Sequence, residues 1–123
     1  GAAAEVLYEK ASDALKEKVS ASPLSYLIVA STDLSHYYPY ASAVKIDAVT
    51  VEHLKNFDIA AMIRDTRSEK AQACGAGPMI TAMMTARKLG AEAGRVLKYA
   101  NSGDVSGDRS GVVGYVSAIF FEK

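Results

Sequence analysis

Tyr26-Leu27-Ile28-Val29-Ala30 is an unbroken apolar run, fenced by Pro23 on one side and by Ser31, Thr32 and Asp33 on the other. Having no polar face, it shows the pattern of a strand covered on both sides, as in the middle of a parallel sheet. Such a strand needs helices around it, which directs the reading toward an α/β architecture. The chain supplies the first one just upstream. Leu7, Ala11, Ala14, Leu15 and Val19 recur at spacings of three and four, with Glu9, Lys10, Asp13, Lys16 and Glu17 opposite, so an amphipathic helix is expected over 2–19. Pro23 closes it, because proline lacks a donor and biases the preceding residue away from helical angles.

Downstream, Val44, Ala48, Val51 and Leu54 restore the helical spacing over 43–56, and Asp58 is placed to cap a further helix through Ile59, Met62 and Ile63. Gly75-Ala76-Gly77-Pro78 opens another helix, with 79–89 as its body and Gly90 as its stop. Two more strands are expected, over 95–100 and over Val112–Phe121, separated by a loop at 101–110. Three strands make a thin sheet, so part of the architecture is unaccounted for. No repeat, linker or low-complexity tract divides the sequence, and 1–123 reads as a single unit.

Length and charge narrow the function. A chain of 123 residues supports one core and buries about two-thirds of its unfolded surface. Fourteen basic residues balance fourteen acidic ones, so no long-range field draws it to nucleic acid or to anionic lipid. The apolar runs are far shorter than the roughly 20 residues of a membrane span. The single cysteine, Cys74, has no internal disulfide partner and no signal-like segment opens the chain, so a reducing cytoplasm is the expected compartment. The opening Gly1-Ala2-Ala3-Ala4 has no charge and no start methionine, reads either as an expression remnant or as the cut edge of a longer chain, and carries no functional weight.

Three residue types stand where chemistry is expected. Asp33 and His36 follow the apolar run directly, at the sheet edge where open α/β folds bind ligands. A carboxylate beside an imidazole fixes its tautomer, which suits a general base or a metal ligand with its supporting partner. The bland alternative is that Asp33 caps a turn and His36 packs beneath Tyr37, Tyr38 and Tyr40. Cys74 precedes the glycine-rich start of a helix, where free N–H groups and the helix dipole favour negative charge. It is a metal ligand, a nucleophile or an oxidation sensor on one reading, and a small packed hydrophobe on the other. The glycine run lacks the lysine and spacing of a phosphate loop, and Gly103-Asp104 with Gly107-Asp108 lacks the closing glutamate of a calcium loop. His53 reads as a surface or boundary residue, and Met79, Met83 and Met84 as core.

Taken in order, Ser31-Thr32-Asp33-Leu34-Ser35-His36-Tyr37, Ala73-Cys74-Gly75-Ala76-Gly77-Pro78, 99–108 and Val112-Val113-Gly114-Tyr115 resemble the C-terminal half of Memo-like proteins, the family also called AmmeMemoRadiSam system protein B. That family is related in fold to class III extradiol ring-cleavage dioxygenases, which are non-haem iron enzymes. The resemblance implies a partial α/β/α sandwich with a mixed sheet. It places Cys74 at the family's metal-binding cysteine, where the dioxygenases use a carboxylate. It makes His36 the pocket histidine that serves as acid/base, with Asp33 as its acidic neighbour. The implied metal is iron or copper, and the implied activity a metal-dependent dioxygenase or oxidoreductase of unstated substrate.

One departure limits the carry-over. The family completes its site with two histidines from its N-terminal half, whereas the only histidines here are His36 and His53. The site is therefore incomplete in this chain, and turnover is not expected from it alone. The expected partners are the missing N-terminal half or a second copy joined through unpaired strands. The competing reading is a binding module for a peptide or protein, with a vestigial pocket and the Tyr37, Tyr38 and Tyr40 surface, since some relatives are described as binding phosphotyrosine peptides.

Overall fold

The computed structural model describes residues 2–123, which leaves Gly1 of the opening run outside the described residues. In chain order the elements are α1 (Ala2–Ala21), β1 (His36–Tyr38), α2 (Tyr40–Lys55), α3 (Ile59–Arg67), α4 (Ala76–Lys88), β2 (Ala93–Asn101), α5 (Ser102–Ser106) and β3 (Val112–Phe121). The α/β class expected from the sequence is the one observed. The long helices fall where the apolar spacing puts them, and their ends have the chemistry foreseen. Asp58 accepts the Ala61 N–H at 3.0 Å to start α3, Pro78 sits in the first turn of α4, and Gly90 follows its last residues. The loop at 101–110 is more ordered than a turn. Asn101 and Asp104 exchange side-chain and backbone hydrogen bonds to cap α5.

The sheet has the order β1-β3-β2, and both pairings are antiparallel. β2 pairs with β3 from Ala93↔Phe121 to Asn101↔Gly114, with an irregularity between Val96 and Lys98. β1 meets β3 only at Val112 and Val113. Two further bonds extend that contact toward the chain start: Leu34 N–H donates to the Gly114 carbonyl at 2.8 Å, and Gly114 N–H to the Ser35 carbonyl at 3.0 Å.

Segment 26–30 corrects the sequence reading. It is not a strand, and no main-chain group of 25–31 makes a backbone hydrogen bond to another described residue. Leu27 is 88% and Val29 74% exposed. The run asks for an apolar, paired environment, but it makes no main-chain hydrogen bond to β3. Between them lies a groove of about 490 Å³ lined by Ile28, Ala30, Val116, Ala118 and Phe120 among others. The sheet is therefore antiparallel throughout the described residues, because the segment expected to add a parallel strand has no partner.

The core lies between the helices and the face of β3 that carries Val116, Ala118 and Phe120. Leu54, Phe57, Met62, Ile80 and Met83 are its buried centre, and the Phe57 and Phe120 rings stack at 4.7 Å. Met79, Met83 and Met84 all belong to it, which fits packing and not a cofactor box. α1 is fastened to α4 by Lys88, whose Nζ reaches Glu9, Ser12 and Asp13 at 2.7 Å each. On the other face of the sheet Leu97, Tyr115 and Ile119 remain exposed, so the second helical layer of a sandwich is missing among the described residues. No described helix is long and apolar enough to cross a membrane.

Candidate metal centre

Leu34 and Ser35 are buried and held against Gly114, so the residues on either side of them must project from the sheet's edge. Asp33 and His36 are those residues. Both are partly exposed, at 47% and 41% of their side chains, and His36 Nε2 lies 3.8 Å from Asp33 Oδ2. Tyr37 follows with φ of 65°, a left-handed backbone that costs a non-glycine residue about 1–3 kcal/mol and so needs support from its surroundings. The β1 pairing with β3 supplies that support.

The other side of the site is the turn into α4. Asp33 N–H donates to Cys74 Sγ at 3.3 Å, and Cys74 N–H donates to the Asp33 carbonyl at 3.1 Å. Thr32 Oγ1 accepts from Gly75 N–H at 2.7 Å, donates to the Asp33 carbonyl at 2.9 Å and lies 3.7 Å from Sγ. Gly75 permits this approach, since a Cβ there would lie 2.6 Å from the Ser31 carbonyl oxygen and 2.9 Å from Thr32 Cβ. The result brings together a carboxylate oxygen of Asp33, a ring nitrogen of His36 and Cys74 Sγ, all within 4.8 Å of one another. Cys74 is exposed, not packed away as a small hydrophobe, and His36 is exposed too. A recess of about 270 Å³ lined by Leu34, Thr66, Glu69 and Gln72 has His36 and Cys74 on its border.

The three tyrosines do not form one surface. Tyr38 accepts from Gln72 at 2.8 Å. Tyr40 donates to Asp104 and lies under the Arg109 guanidinium, 4.0 Å from the ring centroid. The bond to Asp104, then desolvation, pushes the Tyr40 hydroxyl above the ordinary phenol range. Only Tyr37, 78% exposed, stands free of a side-chain hydrogen bond. The second histidine, His53, is remote in role: Nε2 lies 2.6 Å from the buried Asp65 Oδ2, in a part-buried pair that joins α2 to α3. The sequence reading missed Thr32 and Gly75 as the fasteners of the site. A polar, β-branched residue next to the acid and a glycine next to the cysteine were the only signals.

An α/β frame with a thiol, an imidazole and a carboxylate converging at its sheet edge defines a class with a candidate metal centre. Comparison with known proteins narrows the class. The model of the Memo-like protein family matches residues 3–119. A MEMO1 family protein of Methanosarcina mazei is 45% identical over 106 residues, 85% of this chain and 39% of that protein. The relative from Methanopyrus kandleri is 42% identical over 94 residues, 76% of this chain and 33% of its own. That from Sulfolobus acidocaldarius is 35% identical over 112 residues, 91% of this chain and 39% of its own. The chain belongs to the Memo-like family, and its match covers 33 to 39% of the length of these relatives.

Proposed function

We propose that this chain carries one side of the metal centre of a metal-dependent oxidoreductase, acting on a small substrate beside His36 and Cys74. The observation that carries the reading is the convergence of Asp33, His36 and Cys74 within 4.8 Å. A thiolate with imidazole and carboxylate neighbours suits iron or copper better than a hard oxygen-seeking ion. Cys74 is the ligand, and the bound metal would supply oxygen activation. His36 is exposed enough to give or take a proton at Nε2, and Asp33 Oδ2 stabilises the ring when it is charged. The Asp33 N–H fixes the direction of Sγ.

The chain offers too few sheltered ligands for a firm site, which ordinarily takes three or more in a closed environment. The rest of the family domain supplies the others and covers segment 26–30, consistent with the fraction of each relative that this chain spans. Titration with Cu(I), and with Co(II) as a spectroscopic stand-in for Fe(II), tests the assignment. Cys74→Ser is expected to weaken binding at least about tenfold and to remove the thiolate-to-cobalt absorption. Unchanged affinity would sink the assignment.

A further inference from the structure

Asp47 is fully buried on α2, twelve residues from Ser35 and outside the candidate centre. Its Oδ1 accepts the Ser35 N–H at 2.9 Å, and its Oδ2 accepts the Tyr99 hydroxyl at 2.6 Å. Gly114 makes room for it, because a Cβ there would fall on Oδ2. A buried carboxylate is costly unless each oxygen is engaged, so the fold keeps this one at the expense of a glycine on β3 and a hydroxyl on β2. Burial, and after it the bond to Asp47, pushes the Tyr99 hydroxyl above the ordinary phenol range, which keeps it a donor.

What the carboxylate holds is the short piece of backbone between Asp33 and His36. Ser35 Oγ is buried without a partner among the described residues, so its side chain anchors nothing. Ser35 is tied by its main chain alone, through N–H to Asp47 and through its carbonyl to Gly114. We infer that Asp47 is a positioning residue for the candidate centre: by fixing the Ser35 amide it sets where Asp33 and His36 stand relative to Cys74. Its service to a metal rests on the reading above, while the positioning itself does not.

Two measurements separate these. Co(II) affinity reads the assembled centre, and the rate of Cys74 carbamidomethylation by iodoacetamide reads the Asp33–Cys74 contact without metal. Asp47→Ala is expected to weaken Co(II) binding about tenfold or more and to change the alkylation rate at least about threefold. Asp47→Asn keeps an acceptor for Ser35 N–H and is expected to stay within about twofold of the parent in both. Tyr99→Phe removes one tether at nearly constant volume, with an expected loss of about threefold. Tyr99→Phe decides the question if Asp47→Ala fails to fold. A folded Asp47→Ala, or Tyr99→Phe in its place, with parental Co(II) affinity and alkylation rate overturns the inference. If the parent itself binds no Co(II), the metal reading fails, and Asp47 is then judged by alkylation alone, where an unchanged rate refutes it.

Discussion

Asp33 and Cys74 clasp each other through the Asp33 main chain: its amide donates to Cys74 Sγ at 3.3 Å, and its carbonyl accepts the Cys74 amide N–H at 3.1 Å. Residues 41 apart in sequence are thereby joined without using the Asp33 carboxylate or the His36 ring, both of which stay free for chemistry.

Thr32 is the pin of that clasp. Thr32→Val preserves shape but removes the acceptor of Gly75 N–H and the donor to the Asp33 carbonyl. The expected loss is about 1–3 kcal/mol in urea denaturation, since a part-buried amide is left without its partner. Alkylation of Cys74 should speed up as the turn loosens. Parental stability and parental reactivity together would show that the backbone bonds hold the turn unaided.

Gly114→Ala is expected to cost about 2 kcal/mol or more, because the new methyl collides with Asp47 Oδ2 and neither the β-strand nor the buried carboxylate yields easily. The cost should shrink when Asp47 is shortened to serine in the same chain, and a double-mutant cycle measures the coupling. Additive losses would place the strain elsewhere on β3.

These fasteners mark the border of what the sequence discloses. Val112–Phe121, the Asp58 cap and the methionines of α4 are legible because periodicity and capping chemistry are local. The apolar run at 26–30 predicts an environment and not a pairing. An apolar environment needs neighbours, and among the described residues none pairs with it, so the strongest strand signal in the chain yields no strand. Asp33, His36 and Cys74 were legible through ordered motifs. Asp47 was not, since a lone acid in a helix looks solvated until Ser35, Tyr99 and Gly114 are folded around it.

His53, Asp65 and Arg64 supply a pH prediction. The Arg64 guanidinium, and after it the hydrogen bond from His53, holds the Asp65 carboxyl well below the usual carboxylate range. A depressed folded-state pKa gives stability that is complete above the unfolded value of about 3.9 and disappears as the pH falls toward the folded one. The deficit of Asp65→Asn relative to the parent should therefore be steady from pH 7 to about pH 5 and shrink only below about pH 4. Denaturant midpoints across that range check it. A deficit already vanishing at pH 6 would mean that the titration of another group dominates.

The last prediction concerns the unpaired run. Leu27 and Val29 are 88% and 74% exposed, and the main chain around them offers a free edge. Lysine at either position should change the stability of this chain by no more than about 0.5 kcal/mol, as at any exposed site. The same substitution should suppress concentration-dependent association, because charge on an open edge blocks strand pairing between copies. In the full-length relatives, where we expect the rest of the domain to cover this run, lysine at the aligned positions should cost several kcal/mol, of the order found for a charge buried without a partner. Sedimentation velocity with urea denaturation reads all three effects. A loss above about 2 kcal/mol in the monomeric short chain would show that the run is already packed, and would remove the argument that another segment covers it.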